Sequence, residues 1–209
     1  MRLKITLFCL FAAMIFSSVS AAQEASGDPA SLLKSTTNRI FTQLSENMEE
    51  YTENPEALRE LVRTDLMPLI DVRYSARLIL GRAGRGLDSE KINAFADAMS
   101  KLLVDRYSQG LLYFKSPEQI RVLPIRGDLN DRLTRVRTRI ALPSGGDAPI
   151  DYAFRKTKDG WKAFDVIVEG ISYVTTYRNQ IMPDVQANGI DSVIERLNSG
   201  DLQLSESDD

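Results

Sequence analysis

The sequence predicts an α+β domain: a twisted antiparallel four-stranded sheet wrapped by helices around an apolar pocket. Three observations carry this. Apolar residues recur at helical spacing up to about Phe114, alternate at period two from Gln119 to Val168, and return to helical spacing from Ile171. No repeat and no Pro/Gly/Ser-rich linker divides the chain. With 209 residues it is long enough for one good core and short for two.

Asp28-Pro29 reads as an N-cap followed by N1, with Leu33, Ile40, Leu44, Met48 and Tyr51 along one helix face. Asn54-Pro55 repeats that start ahead of Leu58, Leu61, Val62 and Leu66, and Pro68 marks the end. A short helix over Asp71–Leu80 stops at Gly81, a C′ residue. Ser89 opens the longest helix, whose stripe is Ile92, Phe95, Ala96, Met99, Leu102, Leu103 and Tyr107, with Leu111 to Phe114 as a continuation. Arg135 to Ile140 alternates strictly and precedes a Pro143/Ser144-Gly145-Gly146-Asp147 turn. Ile150, Tyr152 and Phe154 alternate next, and Lys158-Asp159-Gly160 is a hairpin turn. Trp161 to Val168 is apolar on both faces, which predicts a central strand.

Residues 1–22 have the form of a secretory signal peptide. Arg2 and Lys4 form its basic end, Ile5 to Phe16 its apolar run, and Ser20-Ala21-Ala22 its cleavage site. The run is too short to span a bilayer. The remaining domain covers 23–200, and 201–209 is an acidic flexible tail. Histidine is absent and the one cysteine, Cys9, lies in the signal. This excludes a Ser-His-Asp triad, a Cys–His pair and any zinc site built on Cys or His. Past residue 22 the chain holds 24 basic and 29 acidic residues, which argues against nucleic-acid binding.

Charge is unevenly spread. Residues 71–142 carry 14 basic against 8 acidic side chains, whereas the segments before and after are acidic. Arg73, Arg77, Arg82, Arg85, Arg121, Arg126, Arg132, Arg135, Arg137 and Arg139 fall in the basic block. Arg135, Arg137 and Arg139 share one strand face. Together with Arg178 they are candidates for contact with lipid headgroups or an acidic partner; the alternative is a solvated face. Candidates for lining an apolar-ligand cavity are Phe95, Met99, Leu103 and Tyr107 on the long helix. On the strands they are Val136, Ile140, Tyr152, Phe154, Trp161, Phe164, Val166 and Val168, and Val174 and Tyr177 follow. The same side chains would equally make a solid core, and composition does not separate the two. Asp165, within an apolar strand, and Glu169 are the candidates for a general base in a small isomerase or hydrolase. Gly81-Arg82-Ala83-Gly84-Arg85-Gly86 lacks the Gly-Lys-Ser/Thr end of a phosphate loop and reads as a mobile connection.

The run Trp161-Lys162-Ala163-Phe164-Asp165-Val166-Ile167-Val168-Glu169-Gly170-Ile171-Ser172-Tyr173-Val174, followed by Tyr177-Arg178, resembles the signature of the MlaC family. These are periplasmic phospholipid carriers, also known as toluene-tolerance auxiliary components. Leu80-Gly81, the Phe95 helix ending near Tyr107, and Gly189-Ile190-Asp191 with Ile194 and Leu197 match as well. Many members carry an aromatic residue after the Leu-Gly pair, where this chain has Arg82-Ala83-Gly84-Arg85. The resemblance implies a deep apolar pocket for acyl chains, a monomer without catalytic activity or cofactor, and phospholipid as cargo. It also implies a role in outer-membrane lipid asymmetry. The carrier would shuttle between an outer-membrane lipoprotein complex and an inner-membrane ABC-type transporter complex. A lipoprotein chaperone is the remaining alternative.

Overall fold

The structure, a computed structural model, describes residues 27–142 and 145–205. The signal-peptide expectation for 1–22, Cys9 included, and the tail beyond Ser205 lie outside the described residues.

Asp28 caps α1 (Pro29–Glu46) as its sequence predicts, its Oδ1 accepting from Ala30 N at 2.9 Å. The helix does not run on to Tyr51. Asn47 breaks it, and α2 (Met48–Glu53) turns the chain toward α3 (Pro55–Leu61), which the Asn54 side chain caps. This bend brings Ile40, Leu44, Tyr51, Leu58 and Leu61 into one apolar cluster. A wide π turn (Val62–Leu66) and a 3-10 turn around Pro68 follow. Next comes α4 (Val72–Leu80), capped by Asp71 and ended at Gly81, where φ is +53°. Arg178 packs against that turn: a Cβ on Gly81 would meet Arg178 Cδ at 3.3 Å.

The glycine-rich segment after α4 is not a loose connection. Ala83 N donates to Leu80 O, Arg85 N to Arg82 O and Leu87 N to Gly84 O, so it folds as successive tight turns. Ser89 opens α5 (Ser89–Tyr107) as expected, with Asp88 as its N-cap, and the continuation over Ser108–Tyr113 is 3-10 helix. After the sheet, α6 (Tyr173–Asn188) and α7 (Ile190–Ser199) close the chain. Helices α4 to α7 bury Phe95, Leu80, Ile181, Val193 and Tyr177 in a common core.

The sheet has five antiparallel strands rather than four, in the order β1-β2-β3-β4-β5. They are β1 (Ile120–Val122), β2 (Thr134–Ala141), β3 (Asp147–Thr157), β4 (Gly160–Val168) and β5 (Ile171–Ser172). The fifth escapes sequence periodicity because it is only two residues long. Lys158 and Asp159 make the tight β3–β4 turn, since Thr157 pairs Gly160. The central strand is β3, not Trp161–Val168. Among the described residues, β4 meets no strand on its outer side beyond Ile167 and Val168. The Ile70–Ala163 bridge, the Asp71 N to Ala163 O bond and the Ser75 Oγ to Phe164 O bond at 2.7 Å tie it to the segment around α4 instead. It is apolar on both faces because α1 covers one face while α4 and α6 meet the other.

Register places Thr134, Val136, Thr138 and Ile140 of β2 on the inner face, all buried, and turns Arg135, Arg137 and Arg139 the other way. Leu33 of α1, Leu69 and Trp161 pack over Val136, Phe154 and Ala163 there. The expected tail begins as part of the body. Leu204 is buried, its carbonyl accepts from Arg106 at 2.6 Å, and Ser205 N donates to Gln180 at 2.7 Å. Apolar Leu202 and Leu204 find a seat on the helical core, which outweighs the polar residues between them.

Candidate functional site

On the inner sheet face, pairing sets Tyr152 between Val136 and Val166, and Ile150 between Thr138 and Val168. A bulge at Ala153/Phe154 then shifts the register, so Phe154 faces Ala163 and Phe164 is the inserted residue. Phe164 leaves the inner face and meets the Tyr74 ring edge-on at 5.2 Å.

Apart from Phe164, the thirteen other expected lining residues fall into three groups. Phe95, Met99 and Tyr177 are buried in the helical core, with Leu103 and Val174 packed against it. Tyr107 joins that side through its hydroxyl, 3.1 Å from that of Tyr177, and its ring beside Tyr173. Val136, Phe154 and Trp161 are buried under α1 as solid sheet core. Tyr152, Val166 and Val168 are half-buried on the inner face, with buried Ile140 on the same side. Ile150, half-buried between them, belongs with this group and is absent from the expected set. The Ile150-Tyr152-Phe154 alternation was the signal that could have found it.

Ile140, Ile150, Val166 and Val168 join none of the three apolar clusters. They form an apolar seam between two filled regions. Tyr152 marks its inner end. Desolvation pushes its phenol up to about 12, no hydrogen bond reaches the hydroxyl among the described residues, and part of the side chain stays uncovered. A solid core would cover the ring; a surface position would hydrate the hydroxyl.

Two open clefts lie elsewhere. One of about 380 Å³ runs between the start of α1 and Pro124, Ile125 and Leu129. One of about 440 Å³ lies beside α4, lined by Asp71, Arg73, Arg155, Lys158 and Lys162 among others. Neither is bounded by the expected lining residues.

The candidate general bases have other work. Asp165 Oδ1 accepts from Val174 N at 3.0 Å and Oδ2 from Ser172 Oγ at 2.6 Å, which ties β4 to the first turn of α6. Glu169 is exposed in the two-residue β4–β5 turn with φ +52°. Among the described residues there is no metal-binding cluster of carboxylates.

The arginine candidates are engaged in different degrees. Arg135 lies 3.7 Å from Asp151, Arg137 donates to Pro124 O at 3.0 Å and Arg139 to Thr138 O at 2.8 Å. Arg178 donates to Thr175 Oγ1 at 3.3 Å. No described helix is long and apolar enough to cross a membrane.

Comparison with known proteins places this architecture. The chain is 25% identical over 174 residues to the intermembrane phospholipid transport system binding protein MlaC of Haemophilus influenzae, covering 81% of this chain and 80% of that one. It is 26% identical over 164 residues to the toluene tolerance protein ttg2D of Pseudomonas putida, covering 78% and 75%. The phospholipid-binding protein from Ralstonia solanacearum, solved in complex with a phospholipid, superposes with a TM-score of 0.73 at 20% identity. That superposition covers 83% of this chain and 96% of the other. The family model described as MlaC protein matches residues 34–199, nearly the whole of the described body, and the chain belongs to the MlaC family.

Proposed function

We propose that this protein is a non-catalytic periplasmic carrier that holds phospholipid acyl chains along the inner sheet face and moves them between the two membranes. Membership of a family whose Haemophilus member is named for intermembrane phospholipid transport supports the role. The single observation that carries the site is the apolar seam of Ile150, Tyr152, Val166 and Val168, accessible yet set inside the body. Two acyl chains hold about 30 methylenes, so hydrating them costs roughly 24 kcal/mol at about 0.8 per methylene. A seam as dry as the bilayer makes loading nearly neutral and removes that barrier. No nucleophile, metal or cofactor is needed for this.

The carrier works as a monomer between an outer-membrane lipoprotein complex and an inner-membrane ABC-type transporter complex. Arg135, Arg137, Arg139 and Arg178 supply positive charge toward those partners. Such charge raises association rates more than affinity.

Organic extraction and mass spectrometry of the purified protein test the reading, with phospholipid as the expected content. Lipopeptide instead would identify a lipoprotein chaperone, and an empty protein would remove the carrier role. Val166→Trp sharpens the site. Filling the seam is expected to empty the protein at a cost below about 1 kcal/mol, whereas Val174→Trp, against the helical core, costs about 1–3 kcal/mol. Full lipid content in Val166→Trp would put the cargo elsewhere.

A further inference from the structure

The structure sorts the arginines by what they touch. Arg39, Arg59, Arg63, Arg121, Arg155 and Arg196 each pair with a carboxylate. Arg106, Arg137 and Arg139 donate to backbone carbonyls. Exposed and, among the described residues, without either kind of acceptor are Arg126 and Arg132 ahead of β2 and, in another group, Arg73, Arg77, Arg82 and Arg85. These four are neighbours. Arg73 and Arg77 stand one turn apart on α4, and Gly81 N donates to Arg77 O at 3.0 Å, which leads straight into the turns bearing Arg82 and Arg85.

Local electrostatics opposes part of this placement. Like charges at i and i+4 repel, and Arg73 sits in the first turn of α4, at the positive end of the helix dipole, whereas Arg77 in the last turn is favourably placed. The two acids nearest in sequence are committed elsewhere. Asp71 accepts from Arg155 at 2.7 Å and caps α4, and Asp88 caps α5. In a chain with 29 acidic residues, partners were not scarce. A cluster of exposed arginines without internal partners marks a surface whose counter-charge comes from outside.

We propose that the arginine stripe along α4 and the turns 81–86 docks on an anionic phospholipid bilayer. The inference rests on the carrier reading and adds the surface from which cargo is exchanged. Planar guanidinium groups match phosphate oxygens. Arg73 and Arg77 stand about 6 Å apart along α4 and Arg82 and Arg85 follow in the turns, enough separated cations to meet more than one headgroup. The 440 Å³ cleft at its start, which Asp71 and Asp159 also line, places Lys158 beside Arg73. A protein partner would want an apolar centre in the patch. The exposed large apolar residues Tyr113, Leu129, Leu133, Leu142 and Ile171 all lie outside it.

Vesicle co-sedimentation tests this, with phosphatidylcholine alone against phosphatidylcholine mixed with phosphatidylglycerol, at low and at physiological salt. The protein is expected to prefer the anionic vesicles and to lose that preference as salt screens the contact. Replacing Arg73, Arg77, Arg82 and Arg85 together with Ser weakens binding about fivefold per arginine, several hundredfold in all. The melting temperature should stay level or rise, because a repulsive cluster is gone. Serines at Arg135, Arg137 and Arg139 should leave most vesicle binding intact. Equal sedimentation with both vesicle types, a quadruple variant that binds like the parent, or an equal loss in the strand variant would each overturn the proposal. So would capture of an acidic protein by the stripe without any vesicle binding. Extracted phospholipid is measured on the same samples. Its absence from the parent would sink the carrier reading, whereas its presence without vesicle preference would sink the docking surface alone.

Discussion

In the layer of α4 to α7, Phe95 and Ile181 have no exposed surface, and every neighbour on their faces belongs to one apolar cluster. On the sheet, Val136 and Phe154 are equally covered, yet Ile150, Val166 and Val168 on the same face are half-buried and join no cluster. The two regions use the same residue types. Their difference lies in completeness of packing, since filled interiors leave few voids and tolerate little change in volume. Half-covered β-branched residues beside a desolvated phenol are what the proposed lipid seam consists of.

Truncation puts the largest number on this contrast. Phe95→Ala should cost about 3–5 kcal/mol in denaturant unfolding, and Ile150→Ala about 1 kcal/mol. Comparable losses would mean that the seam is core. The Val166→Trp and Val174→Trp pair described above probes the same boundary from the opposite direction, by filling rather than emptying.

Tyr152 gives a second measure of it. Its phenol rises from an ordinary value of 10.0 to about 12 through burial. Between those values the folded protein keeps a proton that the unfolded chain has lost. Stability therefore falls as pH rises through this window, by at most about 1.4 kcal/mol per unit. Tyr152→Phe should flatten that slope, and ultraviolet titration should lose a late-ionising tyrosine in the variant while the upward-shifted Tyr51 remains. An unchanged slope in the variant would place the Tyr152 ring in water.

The smallest effect concerns the turn that carries Glu169. Glu169 and Gly170 both have positive φ, a two-residue turn suited to Asn-Gly. Glu169→Asn should stabilise by about 0.5–1 kcal/mol without touching lipid content. A loss of cargo in this variant would restore a functional role to a residue now explained by backbone geometry.

Local chemistry was legible before the fold was known. Asp28-Pro29, Asn54-Pro55 and Lys158-Asp159-Gly160 sit where their caps and turn require. So was the α+β class, because the change of period is a property of the chain itself. The signature from Trp161 to Arg178 pointed to the family that the whole-chain comparison shows. Tertiary decisions were less visible. The apolar character of Trp161–Val168 suggested a central strand, but helices rather than strands cover its second face. Phe95 and Tyr177 looked like lining because a lining and a core share a composition. Which arginines find acids depends on contacts between residues far apart in sequence, such as Arg155 with Asp71.

The outer side of β4 has one more consequence. A long strand with free N–H and C=O groups would invite pairing with another copy of the chain. Here β5 takes the end of that side, and Ile70 with Asp71 binds Ala163 in its middle. At the opposite margin β1 is three residues long and carries the exposed, charged Arg121 at its centre. Both margins of the sheet are thus poor templates for strand addition. A protein built to leave part of an apolar face uncovered thereby limits the route by which β-rich chains stick to one another.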